Sequence, residues 1–256
     1  MNILALDTAC SVLSAALKTD TGFWYLEADA GMRHSELLMD IIDSLFKYAG
    51  QDASALGLLV CMKGPGSFTG LRIGFAAAKG MALALGIGLK AVPTLDCMAF
   101  PHSAWPGIVI PVIDAKKRCF FTALYHRGEP ITPYMDAGIA DLVDVIGKAV
   151  QKVYRNEPFP LNRENTTTHL IPGGILLTGP DAERVLPLLE DAMPGYRFFQ
   201  DPERKRGRAF ELLEIIKSRG LQENDGNDIF CGPEYIRKSD AEINILHPEG
   251  RGMSFS

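Results

Sequence analysis

Two acids close matching apolar runs in this chain: Asp7 ends Ile3-Leu4-Ala5-Leu6-Asp7, and Asp114 ends Ile110-Pro111-Val112-Ile113-Asp114. The turn after the first, Asp7-Thr8-Ala9-Cys10-Ser11, sets a carboxylate and two hydroxyls at a strand end. Such a turn either satisfies its own backbone or faces a nucleotide, and the residue types alone fit both. A second stretch of the same kind is Gly64-Pro65-Gly66-Ser67-Phe68-Thr69-Gly70, where glycines and a proline promise a sharp backbone turn with accessible N–H groups. It leads into a helix with Ser67 or Thr69 at its N-cap, a place that can hold an anion.

The familiar phosphate loops are nevertheless not spelled out. No Lys-Ser or Lys-Thr pair follows Gly70, and Gly64-x-Gly66-x-x-x-Gly70 misses the dinucleotide spacing by one residue. If a nucleotide is held, Asp7, Thr8, Gly64, Gly66 and Asp114 are the candidates to hold it. ATP or ADP binding is expected to be weak at most, because no lysine stands to neutralise phosphate charge. The five histidines, His34, His102, His126, His169 and His247, never fall at i,i+3 or i,i+4, so no helical metal pair is written. Gly-x-Ser-x-Gly is missing too, which argues against a serine hydrolase elbow.

Strands are expected at Asn2 to Asp7, Val12 to Leu17 and Phe23 to Ala28, with Lys18 to Gly22 as a hairpin turn. A helix from Ser35 to Ala49 carries Leu37, Leu38, Ile41, Ile42, Leu45 and Phe46 as a broad apolar stripe, and stops at Gly50. The helix after Gly70 is unusual. Gly74 and Gly80 lie in its interior, each destabilising by roughly 0.5–1 kcal/mol against alanine. The rows Gly70-Gly74-Ala78 and Ala76-Gly80-Ala84 would let another helix approach at the short end of the usual ~8–10 Å range. That helix is either buried in its own core or packed on two faces, one of them against another chain.

Prolines and glycine between Pro101 and Gly107 mark a boundary. Two lobes are expected, residues 1–103 and 104–256. The second opens as the first does: ten residues after each acid come Leu17 and Leu124, preceded by Ala16 and Ala123. Further helices are expected at 140–150, 181–189 and 209–219, with strands at 175–178 and 196–199. A mobile insertion is expected near 151–173 and a poorly ordered tail after Arg237. The one basic run, Arg204-Lys205-Arg206-Gly207-Arg208, is either a solvated face or a contact to RNA.

A net charge of −5 argues against a free-standing nucleic-acid binder, though not against work inside a complex that contains RNA. The five cysteines are scattered and form no Cys-x-x-Cys pair, as in reduced cytoplasmic proteins. The first apolar run has no basic flank and carries Asp7, unlike a signal peptide, and no unbroken apolar window reaches membrane-spanning length. A cytoplasmic protein without a membrane partner is expected.

Taken in order, Ile3 to Asp7-Thr8, Arg33-His34-Ser35-Glu36-Leu37-Leu38, Gly64 to Gly80, Thr94-Leu95-Asp96, Asp114-Ala115-Lys116-Lys117 and Pro233-Glu234-Tyr235-Ile236-Arg237 resemble the bacterial TsaB (YeaZ) family. The resemblance spans nearly the whole chain and is weakest from Gln151 to Gly174. It implies an α/β fold of the actin, hexokinase and Hsp70 (ASKHA) type in two duplicated lobes. It also implies a non-catalytic subunit in making threonylcarbamoyladenosine in tRNA beside the anticodon. The catalytic sister, TsaD, is the implied partner and holds the metal; a TsaE-type ATPase joins the complex, and tRNA is met only through it.

By the same resemblance the Ser35 and Gly70 helices pair with TsaD, or with a second copy of this chain when TsaD is absent. The residues expected at that face are Leu37, Leu38, Ile41, Ile42, Leu45, Gly70, Gly74, Ala77, Ala78 and Met81. No catalytic and no metal-binding residue is expected. Two rival classes stay open on the residues: a glycoprotease-like peptidase, and an independent ASKHA-type ATPase or kinase using Asp7, Thr8 and the Gly64 loop.

Overall fold

A computed structural model describes residues 1–155, 171–220 and 228–236. The insertion expected beyond residue 155 and the tail expected after Arg237 lie largely outside these residues, as do His169 and His247.

The first half builds β1 (Asn2–Asp7), β2 (Val12–Lys18), β3 (Phe23–Asp29), α1 (His34–Ala49), β4 (Leu56–Gly64), α2 (Phe68–Leu85), β5 (Gly88–Pro93) and α3 (Thr94–Ala99). The second builds β6 (Ile108–Asp114), β7 (Phe120–Thr122), β8 (Tyr125–His126), β9 (Glu129–Pro130), β10 (Met135–Ala137), α4 (Ile139–Val153), β11 (Ile175–Thr178), α5 (Ala182–Ala192), β12 (Phe198–Gln200) and α6 (Ala209–Ser218). Expected and observed elements agree to within a few residues at their ends.

The sheets repeat one topology. Sheet order is β3-β2-β1-β4-β5 in the first and β10-β7-β6-β11-β12 in the second. In each, the opening strand pairs antiparallel with its successor and parallel with the strand that follows the first long helix. This is the duplicated arrangement of the ASKHA fold. The copies are not in strict register: Leu17 pairs with Leu4, whereas Leu124 falls in the gap between β7 and β8.

Period-two burial divides each strand between two layers. On β1, Leu4 and Leu6 pack towards α1 and α2, while Ile3 and Ala5 pack towards α6. On β6, Ile108, Ile110 and Val112 face α4 and α5, while Val109 and Ile113 face Leu95, Met98 and Ala99 of α3. Each half thus ends in a helix that packs on the other half's sheet: α3 lies against β6, and α6 against β1 and β2. That exchange ties the lobes together.

By length and composition α2 alone among the described helices could cross a membrane, yet Leu71, Phe75, Ala78 and Ala82 along it are buried against this chain's own sheet.

Candidate partner face and the turn between the lobes

The turn after β1 is built into the protein rather than open to a ligand. Asp7 is 3 % exposed; its Oδ1 accepts from the Ala9 N–H at 2.9 Å and its Oδ2 from the Arg208 N–H at 2.8 Å. The Ser14 hydroxyl accepts from the next amide, Ala209, at 3.1 Å. Arg208 offers no side-chain cap to α6, so two side chains of the first sheet satisfy the orphan donors at that helix start instead. Burial pushes the Asp7 carboxyl above its ordinary range, against the lowering effect of these two amides.

Thr8 is equally enclosed, at 2 % exposure, and it explains the glycines. A Cβ on Gly70 would lie 2.1 Å from the Thr8 carbonyl oxygen, one on Gly74 2.3 Å from Thr8 Oγ1, and one on Gly66 2.5 Å from the Ala9 carbonyl oxygen. The glycine loop and the first turn of α2 therefore press directly on the β1 turn. The Ser67 N–H donates to the Ala9 carbonyl at 2.7 Å, and Ser67, not Thr69, is the cap, accepting from the Gly70 N–H at 3.2 Å. Gly64 has φ +112°, and its space is closed by the Glu234 carbonyl, 2.6 Å from where a Cβ would sit.

The expected nucleotide residues thus divide. Asp7, Thr8, Gly64 and Gly66 come together, but their polar groups and space are taken up by this chain. Asp114 stands apart, 19 % exposed, paired with Lys116 at 3.1 Å and Arg184 at 3.0 Å. Burial would raise its carboxyl; the Lys116 N–H and ammonium and the Arg184 guanidinium outweigh that and hold it below the carboxylate range. Of the five, Asp114 keeps an exposed, charged setting. Among the described residues no three His, Cys, Asp or Glu side chains converge as a metal set would.

The expected partner face needs a larger correction. Leu38, Ile42 and Leu45 of α1 and Gly70, Gly74 and Ala78 of α2 are buried within this chain. Leu37, Ile41, Ala77 and Met81 are half-buried. The outward row of α2 is the other one: Phe68, Arg72, Ala76, Gly80 and Ala84 are all exposed, and nothing lies within 4 Å of a Cβ placed on Gly80. Leu83 beside that row is 70 % exposed, and α1 adds Met39 at 48 % and Tyr48 at 67 %. This face is apolar and flat, with no occupant within the described chain.

Sequence reasoning missed a buried polar junction between the lobes. Arg208 NH2 donates to Asp201 at 3.3 Å and NH1 to Glu211 at 3.2 Å, while Asp201 also accepts from Thr178 Oγ1 at 2.7 Å and His102 Nε2 at 3.1 Å. Burial would raise the Asp201 carboxyl, but His102, Thr178 and the Glu203 N–H hold it well below the usual range. The rest of the basic run is spent likewise: Arg204 and Lys205 pair with Glu183, and Arg206 with Glu203. A second junction fixes α3, with Asp96 accepting from the Tyr125 and Tyr134 hydroxyls at 2.8 and 2.7 Å and from Arg219 at 3.0 Å. No spacing signal announces such partners, because they are 29 to 123 residues apart in sequence.

Comparison with known proteins adds to this geometry. Residues 28–172 match the family model TsaD: tRNA N6-adenosine threonylcarbamoyltransferase. A Bacillus subtilis (strain 168) protein named tRNA threonylcarbamoyladenosine biosynthesis protein TsaB is 26 % identical over 254 residues, 97 % of this chain and 100 % of that one. The Escherichia coli (strain K12) protein of the same name is 34 % identical over 134 residues, 50 % of this chain and 57 % of that one. A crystal structure from Pseudomonas aeruginosa, described as similar to peptidase YEAZ, superposes with a TM-score of 0.65 at 20 % identity, covering 92 % of this chain and 99 % of that one. The chain belongs to the TsaD family, on its TsaB (YeaZ) branch.

Proposed function

We propose that this chain works in tRNA threonylcarbamoyladenosine biosynthesis as a non-catalytic subunit that seats a TsaD-type catalytic subunit on the outer face of α1 and α2. One observation carries the reading: α2 keeps a glycine, Gly80, in its exposed interior with no neighbour in its own chain to require it. An uncompensated loss of helix propensity on a flat apolar face is what close helix approach by another chain would explain. The same face pairs with a second copy when the catalytic subunit is absent. A TsaE-type ATPase joins the assembly, and tRNA is met only through it, in the cytoplasm.

The internal turn supports the subordinate role. Asp7, the acid that a two-lobe ATPase would turn to nucleotide or metal, caps α6 here, so nucleotide affinity of the isolated chain is at most weak and rests on the Asp114 side. Peptidase or kinase chemistry draws no such observation. Capture from the organism's own extract tests the proposal: the parent chain retains the TsaD-type subunit, and Gly80→Leu, folded by thermal melt, loses it. Equal retention by both would place the partner elsewhere.

A further inference from the structure

The exposed row of α2 carries one charge, and it is set in a rigid clamp. The Arg72 guanidinium lies 3.6 Å above the centroid of the Phe68 ring, and its Nε donates to the Tyr235 hydroxyl at 3.1 Å. Tyr235 is itself anchored: its ring sits 5.0 Å from Phe68, and its neighbour Glu234 donates its N–H to the Lys63 carbonyl at 2.7 Å and pairs with the Lys63 ammonium at 3.0 Å. No carboxylate among the described residues pairs with Arg72, so its terminal N–H groups are preorganised and unused.

Arg72 is also at the wrong end of its own helix. It is the fifth residue of α2, where the helix dipole disfavours a cation, while the last turn contains no basic residue at all. Only the Ala82 carbonyl is capped there, by the Gly86 and Ile87 N–H groups. The cation and the carbonyl end it would suit are thus on one face, separated by the length of the helix.

A second copy brings them together. The row Arg72, Ala76, Gly80, Ala84 is symmetric about its centre, so a two-fold axis between Ala76 and Gly80 sets Ala76 against the other copy's Gly80 and Leu83 against its Ile73. Each Arg72 then falls beside the other copy's Ala84 and last-turn carbonyls. Parallel pairing would instead oppose Arg72 to Arg72. We propose that this chain self-associates through antiparallel α2 helices crossing at Ala76 and Gly80, each clamped Arg72 capping the C-terminal end of α2 in the other copy. The proposal rests on the reading of the α1–α2 face as a pairing surface and adds its register.

Sedimentation of the full chain tests it, with thermal melts as the folding control. Arg72→Glu and Ala84→Arg each weaken self-association by about tenfold or more, since each puts an unfavourable charge at the contact. Combined in one chain they restore it, because the two new charges oppose each other across the axis. A double variant that pairs no better than Arg72→Glu, or an Arg72→Glu chain that pairs as tightly as the parent, overturns the register. If Gly80→Leu still abolishes pairing in that case, the surface reading survives without it. A parent chain that is monomeric throughout overturns self-pairing, and capture of the TsaD-type subunit then judges the surface separately.

Discussion

Thr8 fills the space that a side chain on Gly74 would need, its Oγ1 only 2.3 Å from where that Cβ would stand. Gly80, six residues further along the same helix, has nothing within 4 Å. The two glycines therefore respond oppositely to one substitution. Gly74→Ala forces α2 off the β1 turn and destabilises by about 1–3 kcal/mol, the range for overpacking. Gly80→Ala in the monomer stabilises by about 0.5–1 kcal/mol through helix propensity. Denaturant unfolding of both variants checks the contrast.

The lobe junction predicts a second contrast, within the basic run. Arg208 is 3 % exposed beside Asp201 at 3 %, so Arg208→Ala strands a buried charge and destabilises by about 3–5 kcal/mol. Arg204→Ala removes a pair to half-exposed Glu183 and changes stability by about 1 kcal/mol or less. Comparable losses from the two would mean that the run acts as a surface feature throughout.

Stability against pH follows from Asp201. Its folded carboxyl is held below the unfolded value of about 3.9, so its contribution is fully present above that value and is lost as pH falls through the lower folded value. Asp7, raised by burial, acts in the opposite sense, since protonating it in the folded state relieves its desolvation. Asp201→Asn should lower the neutral melting temperature and flatten the decline between about pH 4 and pH 2. An unchanged slope in melts across that range would remove Asp201 as its source.

Calorimetry with ATP or ADP addresses the closed turn. With the Asp7 oxygens held by the Ala9 and Arg208 amides, no submicromolar complex of the isolated chain is expected. A tight complex abolished by Asp114→Ala would relocate the site to the second lobe's turn.

Much of the architecture was legible in the residues. Asp7 and Asp114 close equivalent strands, which exposed the duplication, and the alternation along β1 and β6 fixed which residues are buried. The two small rows of α2 were legible as well, but not which one faces outward, because that depends on Thr8 reaching Gly70 and Gly74 across the β1 turn. Asp7 was recognised as an acid at a strand end, yet its partner, the Arg208 amide, is 201 residues away. The exchange of α3 and α6 between sheets left no local trace for the same reason. Periodicity reports which face is apolar; only the tertiary contacts report what covers it.

The central claim is that this chain enables another subunit's chemistry without supplying a catalytic group. Reconstitution measures it most directly: threonylcarbamoyl transfer to tRNA by the TsaD-type and TsaE-type partners, with the parent chain, with Gly80→Leu, and with no chain added. The account predicts product with the parent, and little with Gly80→Leu or without the chain. Equal product in all three reactions would contradict it.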